Sequence, residues 1–274
     1  MTVRVFAPAK INLTLHVTGQ RGDGYHLLDS LVVFADIGDQ VTVADGRALK
    51  LDISGPEAAG VPVNGNSILQ AARFIGCDNL SFNLEKNLPT SAGIGGGTAD
   101  AAAALRGIAQ LRGLKMPQDV AALGADVPVC MRGRATRMSG IGEVLQDTPD
   151  LPGLWAVLVN PRVAMATPAV FAALEHRNNA AMPVSIPEFA TAREMAGWLA
   201  KQRNDLQSAA IKIQPVIGEV LARLRAVQGQ ILVRMSGSGA TCFALFDNAN
   251  AARAAAGDIA TKRIGWWVKS TALS

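Results

Sequence analysis

The strongest chemical signal in this 274-residue chain is the segment Pro89-Thr90-Ser91-Ala92-Gly93-Ile94-Gly95-Gly96-Gly97-Thr98-Ala99. Four glycines in five positions let backbone N–H groups approach a ligand with no side chain in the way. An Ala-rich run, 99–105, follows at once and reads as a helix. Its first N–H groups and the positive end of its dipole point into the loop, an arrangement that suits a phosphate. Thr98 adds a hydroxyl able to reach a phosphate oxygen or Mg²⁺. No Gly-Lys-Ser/Thr follows, so the loop is not of the Walker type. It also lies far from the N-terminus and lacks the acid about 20 residues on that marks a dinucleotide site. A Cβ at Gly96 is expected to stand where a phosphate oxygen approaches, and a positive φ is expected there.

Two charged residues stand in apolar surroundings. Lys10 lies between Ala9 and Ile11, in a segment patterned like a strand. Its ammonium needs a polar face or a ligand. Asp126 is the lone acid of Gly124-Ala125-Asp126-Val127-Pro128. Taken singly, an exposed strand lysine and a helix-capping acid are the simpler readings. Ser236-Gly237-Ser238-Gly239-Ala240 is a second Gly loop, equally readable as a tight turn between strands.

The elements that must carry these residues follow from periodicity. Residues 3–7 alternate as a strand that Pro8 is expected to end, and 11–17 alternate as a second. Residues 19–24 form a turn, and 27–35, 39–45 and 49–53 are further strands. A helix starts at Asn66 or Ser67, either of which can cap it. Residues 80–84 return to strand, and a short helical stretch precedes Asp126. Strand 154–159 follows, then a helix opened by Thr167-Pro168, a connection at 176–187 and two helices. Strands at 231–235 and 241–246, a helix at 249–263 and a strand at 266–269 complete the chain. The prolines of 147–153 mark the expected domain boundary near residue 150.

Composition limits the function classes. Hydrophobic residues make up 49% and charged residues 18%, which excludes a disordered chain. Mean hydropathy is +0.22, yet no run of about 18 uncharged apolar residues could span a membrane. The first 17 residues carry Lys10 at their centre and do not read as a secretory signal, so a cytoplasmic protein is expected. Cys77, Cys130 and Cys242 are widely separated and read as buried apolar thiols. His16, His26 and His176 show no metal-ligand spacing. Net charge is +4. Residues 1–150 hold 13 Lys and Arg against 15 Asp and Glu, net −2, and the remainder 13 against 7, net +6. The basic excess is scattered, unlike a nucleic-acid stripe, and equally suits a polyphosphate small molecule.

The order of the motifs adds to these readings. Pro8-Ala9-Lys10-Ile11-Asn12-Leu13, the Pro-x-x-Ala-Gly-x-Gly-Gly-Gly-Thr segment and the late Gly-Ser-Gly-Ala together resemble the three motifs of the GHMP kinases. Gly19-Gln20-Arg21-Gly22-Asp23-Gly24-Tyr25-His26 and Leu123-Gly124-Ala125-Asp126-Val127-Pro128 are similar to segments of one branch, the diphosphocytidyl-methylerythritol kinases. The resemblance implies an α+β fold of two domains. Residues 1–150 would be ribosomal-protein S5 domain 2-like, and 151–274 a ferredoxin-like α/β domain. It implies that Lys10 and Asp126 are the catalytic pair and that residues 89–99 bind ATP. It further implies that Asn12, Tyr25, His26, Thr167, Gly237, Ser238 and Gly239 serve the substrate side. Two departures stand out: Thr98-Ala99 replaces the family's usual pair of serines, and the link from Asp100 to Gly124 is shorter by about a turn.

The implied reaction is ATP-dependent phosphorylation of the 2-hydroxyl of a diphosphocytidyl sugar alcohol, in non-mevalonate isoprenoid precursor synthesis. ATP is the co-substrate and Mg²⁺ rides mainly on its phosphates. No nucleic-acid or membrane partner is implied, and the chain would be a monomer or homodimer. Two alternatives stay open: another GHMP kinase acting on a small alcohol, or an RNA-binding module on the same N-terminal fold. The second would show binding that falls steeply with log salt.

Overall fold

A computed structural model describes all 274 residues, Met1 to Ser274. Contacts divide the chain into two compact units that interleave along the sequence. The first comprises Met1–Lys10, Ile37–Thr90 and Gly95–Gly133; the second comprises Ile11–Asp36, Ser91–Ile94 and Arg134–Ser274.

Two long strands, β1 (Thr2–Asn12) and β3 (His26–Asp45), pair with each other, and each contributes residues to both units. Pro8 does not end β1 as expected. A Cβ at Gly38 on β3 would stand 2.8 Å from Pro8 Cα, so the missing side chain lets the two strands close at the proline. Asp36–Gly38 likewise remains within the strand, which makes one 20-residue strand where two were expected.

In the first unit β3 pairs antiparallel with β5 (Leu80–Glu85), and β4 (Lys50–Ser54) adds parallel to β5. Helices α1 (Ser67–Phe74) and α2 (Gly96–Arg112) pack together. Asn66 caps α1 by accepting from Ile68 N–H. In α2, Ala99 and residues 101–104 are all buried, which only a run of small side chains permits on every face. A Cβ at Gly107 would meet Val43 Cγ1 at 2.9 Å, so glycine sets how closely α2 lies on the sheet. A 3-10 turn at Ala121–Leu123 leads into α3 (Val127–Arg132).

In the second unit the alternating strand expected over 11–17 is interrupted. The chain leaves the ladder after Asn12 and rejoins it as β2 (His16–Gln20). Between them the buried Thr14 hydroxyl accepts from Leu31 N–H at 2.8 Å, replacing a backbone partner. β2 and β6 (Thr136–Gly140) flank the N-terminal half of β3, and β7 (Val144–Asp147) extends β6. Neither β6 nor β7 was expected from the pattern; β7 is exposed or half-buried throughout, so it carries no apolar face to read. A second ladder runs β11 (Trp267–Leu273), β8 (Leu154–Asn160), β10 (Cys242–Phe246), β9 (Leu232–Met235), all antiparallel. β11 continues past Lys269 because it pairs with β8 along its whole length. Helices α4 (Thr167–Ala172), α5 (Ala192–Leu199), α6 (Gln207–Ile213), α7 (Val216–Arg225) and α8 (Ala249–Lys262) belong to this unit; α7 and α8 pack on β10. The core joins Val157, Val159, Phe246, Ile217, Leu221 and Ile259.

Candidate active site

Lys10 and Asp126, 116 residues apart, meet in the first unit. Lys10 Nζ donates to Asp126 Oδ2 at 2.8 Å. Lys10 is 4% exposed, whereas the Asp126 side chain is 30% exposed. The ammonium is thus desolvated and held by one carboxylate that still faces solvent. Asp126 precedes α3 as its N-cap residue, yet its side chain bonds no helix N–H. Its carboxylate is therefore committed to Lys10. The segment ahead of it seats against α2: a Cβ at Gly124 would stand 3.4 Å from Thr98 Cγ2.

The glycine segment divides at Gly95. This residue is the N-cap of α2 with φ +67°, and a Cβ on it would lie 3.1 Å from Lys10 Cβ. A side chain there is excluded by conformation and by contact with Lys10. Gly96 and Gly97 already belong to the helix. The expectation for Gly96 is therefore corrected. Its backbone is helical, the positive φ values fall at Gly93 and Gly95, and a Cβ on Gly96 would point inward to 3.2 Å from Lys86 Nζ. Thr98 Oγ1 donates to Gly95 O at 2.8 Å and accepts from the Cys130 thiol at 3.8 Å, so its proton is used locally and one lone pair remains to accept. Pro89, Ala92, Ile94 and Ala99 are buried and anchor the segment, while Thr90, Ser91 and Gly97 are exposed.

In the second unit the late Gly loop packs on the same segment. Ser236 Oγ donates to Gly93 O at 2.9 Å, and Thr241 N–H donates to Ala92 O at 3.0 Å. A Cβ at Gly237 would stand 2.7 Å from Gly93 O. Asn204 braces the loop from below, donating to Met235 O and Gly237 O. Thr167 Oγ1 and Ser238 Oγ lie 2.8 Å apart, which brings two of the residues assigned to the substrate side together. Asn12 is fully buried; its Nδ2 donates to Ser30 Oγ and its Oδ1 has no partner.

Tyr25 is 58% exposed, and His26 stacks on Phe171 of α4 with centroids 4.7 Å apart and planes 24° from parallel. Phe171 was missed by the sequence reading, because a phenylalanine on a short helix signals only core. Burial, and then the Arg177 guanidinium, hold His26 below the ordinary imidazole pKa. Its ring is therefore neutral at pH 7, with Nε2 buried and unpartnered.

The sequence reading also missed a buried acid–base–acid group in the first unit. Lys86 Nζ donates to Asp39 Oδ2 and, at 3.1 Å, to Asp100 Oδ2. All three side chains are buried. Desolvation by burial raises the Asp100 carboxyl to about 7 despite Lys86, and the Asp39 charge adds to the rise. Burial alone would lower the Lys86 pKa, but the two carboxylates raise it. The available signal was Asp100 itself, one acid in a run of alanines. Of the cysteines, Cys130 and Cys242 are buried as expected and Cys77 is half-buried. Burial pushes the Cys130 thiol up to about 12.

No group of three or more His, Cys, Asp or Glu side chains is arranged to hold a metal ion, and no helix is long and apolar enough to cross a membrane. The model of the GHMP kinases N terminal domain matches residues 66–141, and that of the GHMP kinases C terminal matches 170–262. The 4-diphosphocytidyl-2-C-methyl-D-erythritol kinase of Dinoroseobacter shibae is 58% identical, over 98% of this chain and 94% of its own. The protein of the same name from Ruegeria pomeroyi is 52% identical, over 97% and 98%. The chain belongs to the 4-diphosphocytidyl-2-C-methyl-D-erythritol kinase family. A crystal structure of a 4-(cytidine 5'-diphospho)-2C-methyl-D-erythritol kinase superposes with a TM-score of 0.77 at 29% identity, covering 99% of each chain. A homoserine kinase from Cytophaga hutchinsonii, at TM-score 0.64 and 18% identity, shares the fold. The expected two-domain α+β GHMP kinase architecture is thus correct. Membership of this kinase family makes ATP the co-substrate and a small molecule the acceptor. Neither the RNA-binding alternative nor another small-alcohol kinase is supported by these relatives.

Proposed function

We propose that this chain transfers the γ-phosphoryl group of ATP to the 2-hydroxyl of 4-diphosphocytidyl-2-C-methyl-D-erythritol. The observation that carries the mechanism is the 2.8 Å Lys10–Asp126 pair, with a buried lysine and a half-open carboxylate. Phosphoryl transfer needs positioning and charge stabilisation more than covalent work. Asp126 accepts the proton of the attacking hydroxyl as its oxygen bonds to the γ-phosphorus and the bond to the ADP oxygen breaks. Lys10 holds the Asp126 carboxylate in place through their 2.8 Å hydrogen bond and stabilises charge on the transferring oxygens.

Residues 89–99 bind the triphosphate in this reading. The first N–H groups of α2 face outward because no earlier turn accepts from them, and the helix dipole adds to the attraction. Mg²⁺ enters on the phosphates. The protein would offer it the remaining lone pair of Thr98 Oγ1, a hard oxygen donor suited to Mg²⁺, but no carboxylate cluster. Ala99 is buried against the core, so a second hydroxyl there would not face a ligand. On the substrate side Tyr25, His26 and Phe171 clamp the cytosine. Asn12, Thr167 and the Gly237-Ser238-Gly239 loop complete that subsite. Residues 1–150 would carry the catalytic pair and the phosphate loop as the N-terminal domain, with 151–274 as the C-terminal domain, and the protein would act in the cytoplasm. A coupled assay of ADP release, with and without the cytidine substrate, tests the proposal. Release that depends on that substrate is expected, and equal release without it would refute the assignment.

A further inference from the structure

Beneath the first turn of α2 lies a group that the reaction above does not use. Lys86 bridges Asp39 and Asp100, and every member is buried. Each partner belongs to a different end of the phosphate segment. Asp100 sits one helical turn after Gly96, so its bond to Lys86 ties down the turn that carries the ligand-facing N–H groups. Asp39 uses its other oxygen, Oδ1, to accept from Asn87 N–H at 2.6 Å and Leu88 N–H at 2.9 Å, the residues that lead into Pro89. One acid–base–acid bridge therefore spans both ends of the loop. The ammonium also fills the space beside Gly96: a Cβ there would stand 3.2 Å from Lys86 Nζ.

Stability alone does not account for this group. Two aspartates and a lysine, all buried, carry a desolvation cost that apolar residues of the same volume would avoid. The bridge is also incompletely satisfied, since Asp100 Oδ1 is buried with no hydrogen-bond partner. What the bridge does supply is a fixed distance between the chain entering the loop and the helix leaving it. Backbone donors can meet a triphosphate only when held to within a fraction of an ångström, and a misplacement of about 1 Å can cost on the order of 10²-fold.

We propose that Lys86, with Asp39 and Asp100, is the positioning group of the phosphate loop, setting affinity for the nucleoside triphosphate without touching it. This rests on the assignment of residues 89–99 to ATP. The test is calorimetric titration of the intact protein with MgATP, alongside KM for both substrates and thermal melts. Asp100→Leu leaves Lys86 and Asp39 as a neutral pair, so no unpaired charge remains and the variant is expected to fold. Its dissociation constant for ATP should rise roughly 10- to 100-fold, while KM for the cytidine substrate stays within about twofold. Asp100→Asn keeps an acceptor for Lys86 and should restore most of the affinity. Lys86→Met should weaken ATP in the same direction if it folds; the Asp100 pair decides the matter if it does not. A folded Asp100→Leu with wild-type ATP affinity would overturn the proposal, as would equal losses for both substrates or no rescue by asparagine. Wild-type protein that fails to bind ATP would overturn the nucleotide assignment and this inference with it. Wild-type binding with an unaffected Asp100→Leu would overturn the inference alone.

Discussion

Replacing Asp126 by asparagine separates its chemistry from its packing. The side chain caps no helix N–H, so the change removes no capping bond. Asparagine keeps the volume and leaves Oδ1 to accept from Lys10 Nζ, which now stands 2.8 Å from a carboxylate oxygen. Removing one partner of a fully buried ion pair costs about 3–5 kcal/mol. Here the acid is 30% exposed and the hydrogen bond survives, so a loss of about 1–3 kcal/mol is expected. In a chain of this size that lowers Tm by under about 12 °C. The catalytic effect should be larger, because an amide cannot take the hydroxyl proton. A positioned base contributes about 10²- to 10⁴-fold, equivalent to about 2.7–5.4 kcal/mol at about 1.36 kcal/mol per tenfold. Steady-state kinetics should show that loss in kcat with both KM values within a few-fold of wild type. A well-folded Asp126→Asn enzyme turning over at the wild-type rate would refute the role of Asp126 as base.

Gly95→Ala should strain the backbone by about 1–2 kcal/mol, since φ is +67°, and push on Lys10, weakening ATP binding in calorimetry more than it lowers Tm. Unchanged affinity would make the glycine merely structural. Tyr25→Ala and Phe171→Ala should each raise KM for the cytidine substrate by roughly 5- to 150-fold, the factor given by about 1–3 kcal/mol of base stacking, with KM for ATP unmoved. A rise in KM for ATP alone would exchange the two nucleotide assignments. Burial holds the His16 pKa below 6.5, and Arg203 N–H donates to its Nε2, so Nδ1 carries the proton and donates to Ala180 O. The unfolded chain therefore binds more protons below pH 6.5, and stability present above that value is lost as pH falls through it. Thermal melts from pH 7.5 to 5 should show a falling Tm, with a shallower slope in His16→Gln; parallel slopes would remove His16 as the cause.

What could be read from the sequence was local. The Ala-rich helix after a glycine loop, the Asn66 cap and the strands at 80–84 and 154–159 depend on residues within a turn or a few positions of each other, and they form where the pattern places them. The glycine-rich segment ahead of that helix and the motif order belong to this class too. Two kinds of feature escaped. Strands β6 and β7 carry too weak an apolar alternation to stand out, because β3 and the hairpin itself stabilise them through backbone bonds that any residue can make. Pro8 was read as a terminator because the gap at Gly38 that accommodates it lies 30 residues away.

Lys10 and Asp126 show the division most directly. Each was visible as a charge in apolar company, but a charge in such company fits a cap or an exposed strand lysine equally well. Only the fold brings them to 2.8 Å across 116 residues, buries the lysine and leaves the acid open to solvent. The Lys86 bridge is the extreme case, with partners 47 and 14 residues away and no motif to announce it. The sequence by itself determined which groups were available and which segments would form helix, strand or loop, because those preferences act over short stretches of chain. The tertiary structure decided which charges meet, which are desolvated and which glycine must stay bare, because these depend on distances and burial that exist only once remote segments pack.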